Sequence, residues 1–244
     1  MKNLKEAFKI FIKKQQFHPN FFGVFFNPFY FARKGLYDNI RIFGKNINGK
    51  ALDVGCGSKP YQSLFNADSY IGLDYDKDGS NNNPDADYFY DSTTFPFENE
   101  TYDSCICSEV LEHVFNPNEF LSEINRVLKP GGILLLTVPF VWDEHEQPFD
   151  YGRYSSFGIC SVLKENRFEV IEIKKTCNDI SLIFQLINCF IYKLLFLKSR
   201  KVIFNIILTM LFFTPFNLLG LILRIILPKN NDLYLDNIIL AKKL

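Results

Sequence analysis

Positive charge is scarce in the middle of the chain, where residues 51–150 carry 4 Lys/Arg against 19 Asp/Glu. Phosphate neutralisation needs a basic face around the site, so nucleic acid is excluded as the substrate. The 6 cysteines include no C-x-x-C pair and follow no regular spacing. A disulfide framework and a metal cluster therefore find no support, and reduced thiols in a cytosolic protein are expected. The acid-rich stretch from Asp76 to Pro84 lacks the closing glutamate that a calcium loop requires. A signal peptide is not expected either, because the first apolar run is short and interrupted by lysine. The 244 residues leave room for one full α/β domain and an appendage.

What the chain does have is hydrophobic mass at its two ends. Hydrophobic residues make up 48% of it, with 27 Phe, and the flanks are basic: 10 Lys/Arg against 2 Asp/Glu in residues 1–50, and 13 against 6 in residues 151–244. Such flanks suit an anionic membrane surface. Residues 2–17 set Leu4, Phe8, Phe11 and Ile12 on one face of a helix and Lys2, Lys5, Lys9 and Lys13 elsewhere, which suits a membrane-surface helix or a lid. Residues 17–31 hold eight aromatics and are broken by Pro19 and Pro28, so they cannot form one helix. They are expected to pack as a cap over the sheet, to line an apolar substrate entrance or to dip into the lipid interface. A helix from Arg33 to Phe43 is expected to lead into the first strand.

Near the other end, residues 180–226 are almost wholly apolar and Val202 to Leu223 carries no charge. Pro215 is expected to divide this run into two pieces too short to span a bilayer. A helical hairpin at the lipid interface fits, with Lys198, Arg200, Lys201, Arg224 and Lys229 at headgroup level; an appended helical domain packed on the cap or on a second subunit is the alternative. Asp236 to Lys243 reads as a last strand. It can rejoin a sheet only if the chain between crosses a membrane an even number of times or not at all.

The chemistry is concentrated between these flanks. Ala51-Leu52-Asp53-Val54-Gly55-Cys56-Gly57 reads as a buried strand ending in a tight turn, and Tyr70-Ile71-Gly72-Leu73-Asp74 as a second strand ending in an acid. At that spacing the acid meets the ribose hydroxyls of a nucleoside held over the glycine turn. A dinucleotide site fits less well, because Pro60 stands where its third glycine belongs. Ser58 to Tyr61 is expected to open a helix whose amides face the ligand's carboxylate. Further strands are expected at Asp87–Asp91, Tyr102–Cys107, Ile133–Val138 and Phe168–Lys175, and helices at Glu119–Leu128 and near Ser156–Glu165.

Asp53-Val54-Gly55-Cys56-Gly57, Gly72-Leu73-Asp74, Ser108-Glu109-Val110-Leu111-Glu112-His113-Val114 and Leu128-Lys129-Pro130-Gly131-Gly132, in this order and spacing, resemble the class I S-adenosylmethionine-dependent methyltransferases of the type 11 group. The resemblance covers roughly residues 48–175 and extends to members found in polysaccharide and O-antigen biosynthesis. It implies an α/β, Rossmann-like sheet of seven strands with helices on both faces. The expected division is an N-terminal cap (1–47), a cofactor-binding domain (48–178), an apolar helical insert (179–232) and the last strand (233–244).

S-adenosylmethionine is the implied cofactor. Gly55, Cys56 and Gly57 would take its methionyl backbone, Asp53 its ammonium through water, Asp74 with Tyr75 the ribose, and Asp91 with Ser92 the adenine. Ser108 and Glu109 lie at the strand end beside it. The segment Pro139 to Tyr154 looks like a substrate loop. There His145 is the candidate general base for a hydroxyl that attacks the methyl group, or a group that pins the loop. Asp150, Arg153 and Tyr154 are candidate substrate contacts, as is His113 at the preceding edge, and Arg153 is equally able to pin the loop. No metal is expected. The expected reaction is O-methylation of a glycan or lipid-linked sugar at the cytoplasmic face of a membrane. Methylation of a lipid or quinone ring, or cofactor binding without turnover, is the alternative.

Overall fold

Ala51, Leu52 and Val54 are fully buried, as in a strand covered on both faces, where the alternation of half-exposed strands is lost. In the computed structural model they belong to β1 (Asn48–Val54), which pairs in parallel with β2 (Asn66–Tyr75) and β4 (Tyr102–Ser108). β3 (Tyr88–Tyr90) extends the sheet beyond β2, and β5 (Leu128–Pro139) extends it beyond β4. The final strand, β7 (Asp236–Lys243), runs antiparallel to β5 and lies between it and β6 (Phe168–Lys175). The order is β3-β2-β1-β4-β5-β7-β6, the seven-stranded mixed sheet expected from the resemblance. The structure describes residues 2–76, 79, 82–91, 94–196 and 207–244, excluding the side chains of residues 2–9 and 196.

Two helices pack on this sheet where the apolar spacing puts them. α4 (Pro117–Val127) buries Phe120, Leu121, Ile124 and Val127, and α5 (Ser156–Glu165) buries Ile159 and Leu163, all in one core with the strands. Ser155 caps α5 by accepting from the Gly158 amide at 3.1 Å. The helix expected from Ser58 is not there. Residues 55–65 hold only a 3-10 turn, Gln62–Leu64. Gly55, Gly57 and Lys59 all have positive φ, and a helix cannot nucleate through alternating left-handed residues.

The chain forms two units: Met1–Asp38 with Lys175–Leu235, and Asn39–Lys174 with Asp236–Leu244. The second contains the sheet. The first joins the cap and the insert, which the sequence treats as separate parts. It contains α1 (Lys2–Phe17), α2 (Gly23–Phe26), the start of α3 (Tyr30–Phe43), α6 (Ser181–Phe196) and α7 (Thr214–Ile226). Buried amides hold it together. Gln185 Oε1 accepts from the Phe31 and Ala32 amides at 3.1 and 3.2 Å, and Asn217 Nδ2 donates to the Val24 and Asn27 carbonyls at 2.9 and 3.2 Å. The prolines of the aromatic segment interrupt its helices, and these side chains satisfy the backbone groups left over.

Pro215 does not divide the apolar run. A π-helical turn, Thr209–Phe213, leads directly into α7 and accommodates Pro215, which lacks an N–H for the helical ladder. Thr209–Ile226 is thus one helical stretch of 18 residues, long and apolar enough to cross a membrane by length and composition, and only 28% of it is buried. Arg224 pairs with buried Asp179 at 3.2 Å. Lys198, Arg200 and Lys201 lie outside the described residues.

Candidate active site

The turn after β1 holds two glycines with different duties. Gly55 has φ 69°, and a Cβ there would stand 2.4 Å from Val110 Cγ2. Its amide and that of Cys56 donate to the Leu73 carbonyl at 2.8 and 3.1 Å, so this part of the turn is packed onto β2. Gly57 has φ 48° and nothing within 4 Å of where its Cβ would be. It leaves an open face at which a ligand can approach the backbone.

Asp74, at the end of β2, accepts from the Tyr75 amide at 3.0 Å and from Asn83 Nδ2, which also donates to the Gly57 carbonyl at 2.8 Å. Asn83 thereby joins the acid to the turn, and it gives Asp74 the kind of donor that a ribose hydroxyl gives. Beneath them Asp53 is buried and accepts from the Tyr70 hydroxyl at 2.6 Å. Burial outweighs that bond and the Lys59 charge and raises the Asp53 pKa to about 7. Burial and the Asp53 and Asp74 charges push the Cys56 thiol up to about 12, so it packs as a neutral group and is no nucleophile. Tyr75 is half exposed and tilts against Tyr90, with ring centroids 5.4 Å apart. Asp91 is exposed just beyond β3, and Ser92 lies outside the described residues.

A second tether escaped the sequence reading. Lys59 Nζ and the Gly72 amide both donate to Asp87 Oδ2, at 2.6 and 2.7 Å. A Cβ at Gly72 would stand 2.3 Å from Lys59 Cε. The glycine inside β2 was the available signal, since it marks a close approach.

At the carboxyl edge, Ser108 Oγ lies 3.0 Å from Thr137 Oγ1, and the Glu109 amide donates to the Thr137 carbonyl and hydroxyl at 3.1 Å each. Thr137 Oγ1 donates to Glu109 Oε1 at 2.8 Å, so these residues hold the ends of β4 and β5 together. Glu112 is fully buried and neither of its carboxylate oxygens has a hydrogen-bond partner. Burial, and then the Glu109 charge, push its carboxyl well above the usual range. Its backbone carbonyl accepts from the Tyr151 and Gly152 amides at 2.7 and 3.1 Å, which draws the loop after β5 over it.

That loop brings two histidines to Glu112. His113 Nδ1 is 2.7 Å from the Phe149 carbonyl and its Nε2 is 3.8 Å from Glu112 Oε1. The His145 ring meets the His113 ring edge-on, at 4.7 Å between centroids. His145 Nδ1 is 3.2 Å from Asp150 Oδ2 and 3.3 Å from the Asp143 carbonyl. Both of those oxygens only accept, so Nδ1 carries the proton and Nε2 the lone pair. Arg153 donates to both Asp150 oxygens at 2.6 Å, and to the Gly152 and Asp143 carbonyls at 2.7 and 2.8 Å. The Asp150 side chain is largely covered, which alone would raise its pKa; Arg153 and the His145 amide bring it down to about 2. Tyr154 ties the loop to the sheet, its amide donating to the Pro139 carbonyl at 3.1 Å and its carbonyl accepting from Asn237 Nδ2 at 2.8 Å. One ligand atom from each of Glu112, His113 and His145 lies within 4.8 Å of the others, the one such group among the described residues.

A model of the type 11 methyltransferase family, described as a methyltransferase domain, matches residues 52–136. Phthiotriol/phenolphthiotriol dimycocerosates methyltransferase 1 of Mycobacterium ulcerans is 30% identical over 106 residues, 41% of this chain and 39% of the relative. Demethylmenaquinone methyltransferase of Renibacterium salmoninarum is 33% identical over 98 residues, 38% of this chain and 40% of the relative. The chain thus matches about two fifths of the length of these relatives. Among solved structures, phosphoethanolamine N-methyltransferase 2 of Haemonchus contortus, with phosphomonomethylethanolamine and S-adenosylhomocysteine, aligns with a TM-score of 0.53 and 19% identity over 91% of this chain and 56% of its own. The cyclase SpnF aligns with a TM-score of 0.53 and 17% identity over 85% of this chain and 81% of its own. Likeness at such identity shows the fold alone, and the fold carries more than one chemistry.

Proposed function

Starting from a class I methyltransferase fold and an S-adenosylmethionine-using methyltransferase domain over residues 52–136, we propose that the whole protein methylates an oxygen of a lipid-borne acceptor at a membrane surface. The observation that carries the acceptor is the outward face of α7, where Ile222, Ile225 and Ile226 are 56%, 85% and 70% exposed. Exposed apolar surface of this kind marks a partner or a lipid surface. The two relatives, whose names specify a lipid and a quinone, support an acceptor with a large apolar part. A sugar on a lipid carrier meets the same requirement, and the basic flanks suit the cytoplasmic face.

The cofactor supplies an electrophilic methyl group, taken in line by the acceptor oxygen. Asp74 would accept from the ribose hydroxyls and Asp91 from the adenine amine, and the open face of Gly57 would admit the methionyl backbone. Asp53, when ionised, balances the ammonium. His145 brings a lone pair at Nε2 to the reacting edge, where the acceptor hydroxyl gives up its proton, and Arg153 through Asp150 keeps that imidazole oriented.

The test is transfer of labelled methyl from S-adenosylmethionine into fractionated membrane extract, run beside Asp74→Ala. Label in organic-phase lipid that the variant abolishes supports the reading, and release of that label into water by mild acid identifies a lipid-linked sugar. Label confined to water-soluble acceptors, or none in any fraction while the cofactor still binds, overturns it.

A further inference from the structure

We infer that Glu112, His113 and His145 form a binding site for a divalent first-row transition cation at the carboxyl edge of β4 and β5. Glu112 is the starting point. A carboxylate with no exposure and no partner for either oxygen is costly to maintain, because a buried acceptor without a donor forfeits its hydration. His113 Nε2 is 3.8 Å from Glu112 Oε1, beyond hydrogen-bond reach. A cation between them supplies what both atoms lack.

The imidazoles are prepared for the same task. His113 presents Nδ1 to the Phe149 carbonyl at 2.7 Å, and His145 presents Nδ1 to Asp150 and the Asp143 carbonyl. Metal-bound histidines characteristically donate their other ring N–H to a carbonyl or carboxylate, which fixes the tautomer and the ring plane. Here the support has a further layer, since Arg153 clasps Asp150 through both of its oxygens. The three ligand atoms lie within 4.8 Å of one another. A cation at about 2.1 Å from each needs separations of about 3.4 Å, which a shift of about 1 Å in side-chain position supplies.

The donor set selects the ion class. Two imidazoles and one carboxylate suit Zn(II), Mn(II), Fe(II) or Co(II) more than Ca(II) or Mg(II), which prefer oxygen. Three protein ligands leave coordination positions for water or substrate oxygen. The role of the site rests on the O-methylation reading and replaces His145 as base: with the histidine lone pairs on the cation, the cation lowers the pKa of an acceptor hydroxyl, which releases its proton to solvent, and orients it. The site itself does not depend on that reading.

The test uses the full chain, stripped with chelator and titrated with Co(II) under visible spectroscopy, then with Zn(II) in competition against a chromophoric chelator. One equivalent of Co(II) giving a ligand-field band, displaced by Zn(II) and unaffected by millimolar Mg(II) or Ca(II), is the expected result. Glu112→Gln keeps the shape and removes only the group that can ionise to bind a cation, and S-adenosylmethionine binding verifies that it folds. It and His145→Gln should each weaken Co(II) at least tenfold while cofactor affinity holds. Absence of stoichiometric binding to the wild type, equal binding by wild type and both variants, or preference for Mg(II) overturns the inference. Cation binding without methyl transfer to any lipid leaves the site standing and removes the acceptor reading.

Discussion

Asp53→Asn is expected to change how the stability of the cofactor-free protein depends on pH. The carboxyl is buried under the glycine turn with the Tyr70 hydroxyl 2.6 Å away, and burial lifts its pKa from 3.8 to about 7. A raised folded-state value means that the native protein holds this proton more tightly than the unfolded chain. The resulting stabilisation is fully present below pH 3.8 and lost as pH rises through about 7. At about 1.36 kcal/mol per unit, the gap sets a ceiling on the order of 4 kcal/mol, of which about 3 kcal/mol falls between pH 5 and pH 8. Asparagine keeps an oxygen for Tyr70 and brings no charge to desolvate. Urea or thermal unfolding of both proteins from pH 5 to pH 8 isolates the effect, because every other group titrates alike in the two. The variant should gain on the wild type by about 3 kcal/mol across that range, or several degrees in Tm. Affinity for S-adenosylmethionine should move the other way, since the countercharge to the methionyl ammonium is gone. Parallel pH profiles would refute the argument.

The two turn glycines should separate stability from binding. Gly55→Ala puts a Cβ 2.4 Å from Val110 Cγ2 at φ 69° and should cost about 2 kcal/mol or more in unfolding free energy. Gly57→Ala meets open space at φ 48°, so it should cost about 1 kcal/mol and instead weaken S-adenosylmethionine at least tenfold by calorimetry; equal stability losses would contradict the assignment. On α7, Ile222→Asp with Ile225→Asp changes exposed residues only, so Tm should hold, while sedimentation with anionic vesicles should fall at least tenfold, corresponding to about 1.4 kcal/mol. Unchanged sedimentation would move the lipid surface elsewhere.

The parts of the fold that local pattern determines were legible in the sequence. β6 and α5 stand at their expected bounds, and β7 inserts between β5 and β6 because a strand of that length and apolarity has nowhere else to be covered. What escaped depends on backbone conformation or on distant contacts. The helix after Ser58 fails at a positive φ on Lys59, which no propensity signals. Asn83 reads as one polar residue in a solvated loop until the fold sets it between Gly57 and Asp74. Pro215 reads as a breaker, and only the π turn before it lets one helical stretch run through it. The grouping of Glu112 and His113 with His145 is invisible for the same reason as Asn83. It exists because the loop after β5 bonds back to the Glu112 carbonyl.

The ends of the apolar insert limit how it can meet a bilayer. The Leu235 amide donates to the Thr176 carbonyl at 2.9 Å, and the Asn230 amide to the Asn178 carbonyl at 2.8 Å. Lys175 Nζ donates to the Asn231 carbonyl at 2.8 Å. The chain leaves and returns at one spot, so a single crossing is excluded, in keeping with the demand of β7. A paired crossing would put α6 and Thr209–Ile226 in lipid as its two arms. Yet Gln185, Asn188 and Asn217 sit within these arms and are buried, with Gln185 and Asn217 bonded to backbone of the aromatic segment and Asn188 bonded to Asn217. Lipid around both arms would have to displace those bonds, whereas lipid along the face of Ile222, Ile225 and Ile226 displaces nothing. Membrane contact, as proposed, is therefore contact along that exposed face of α7.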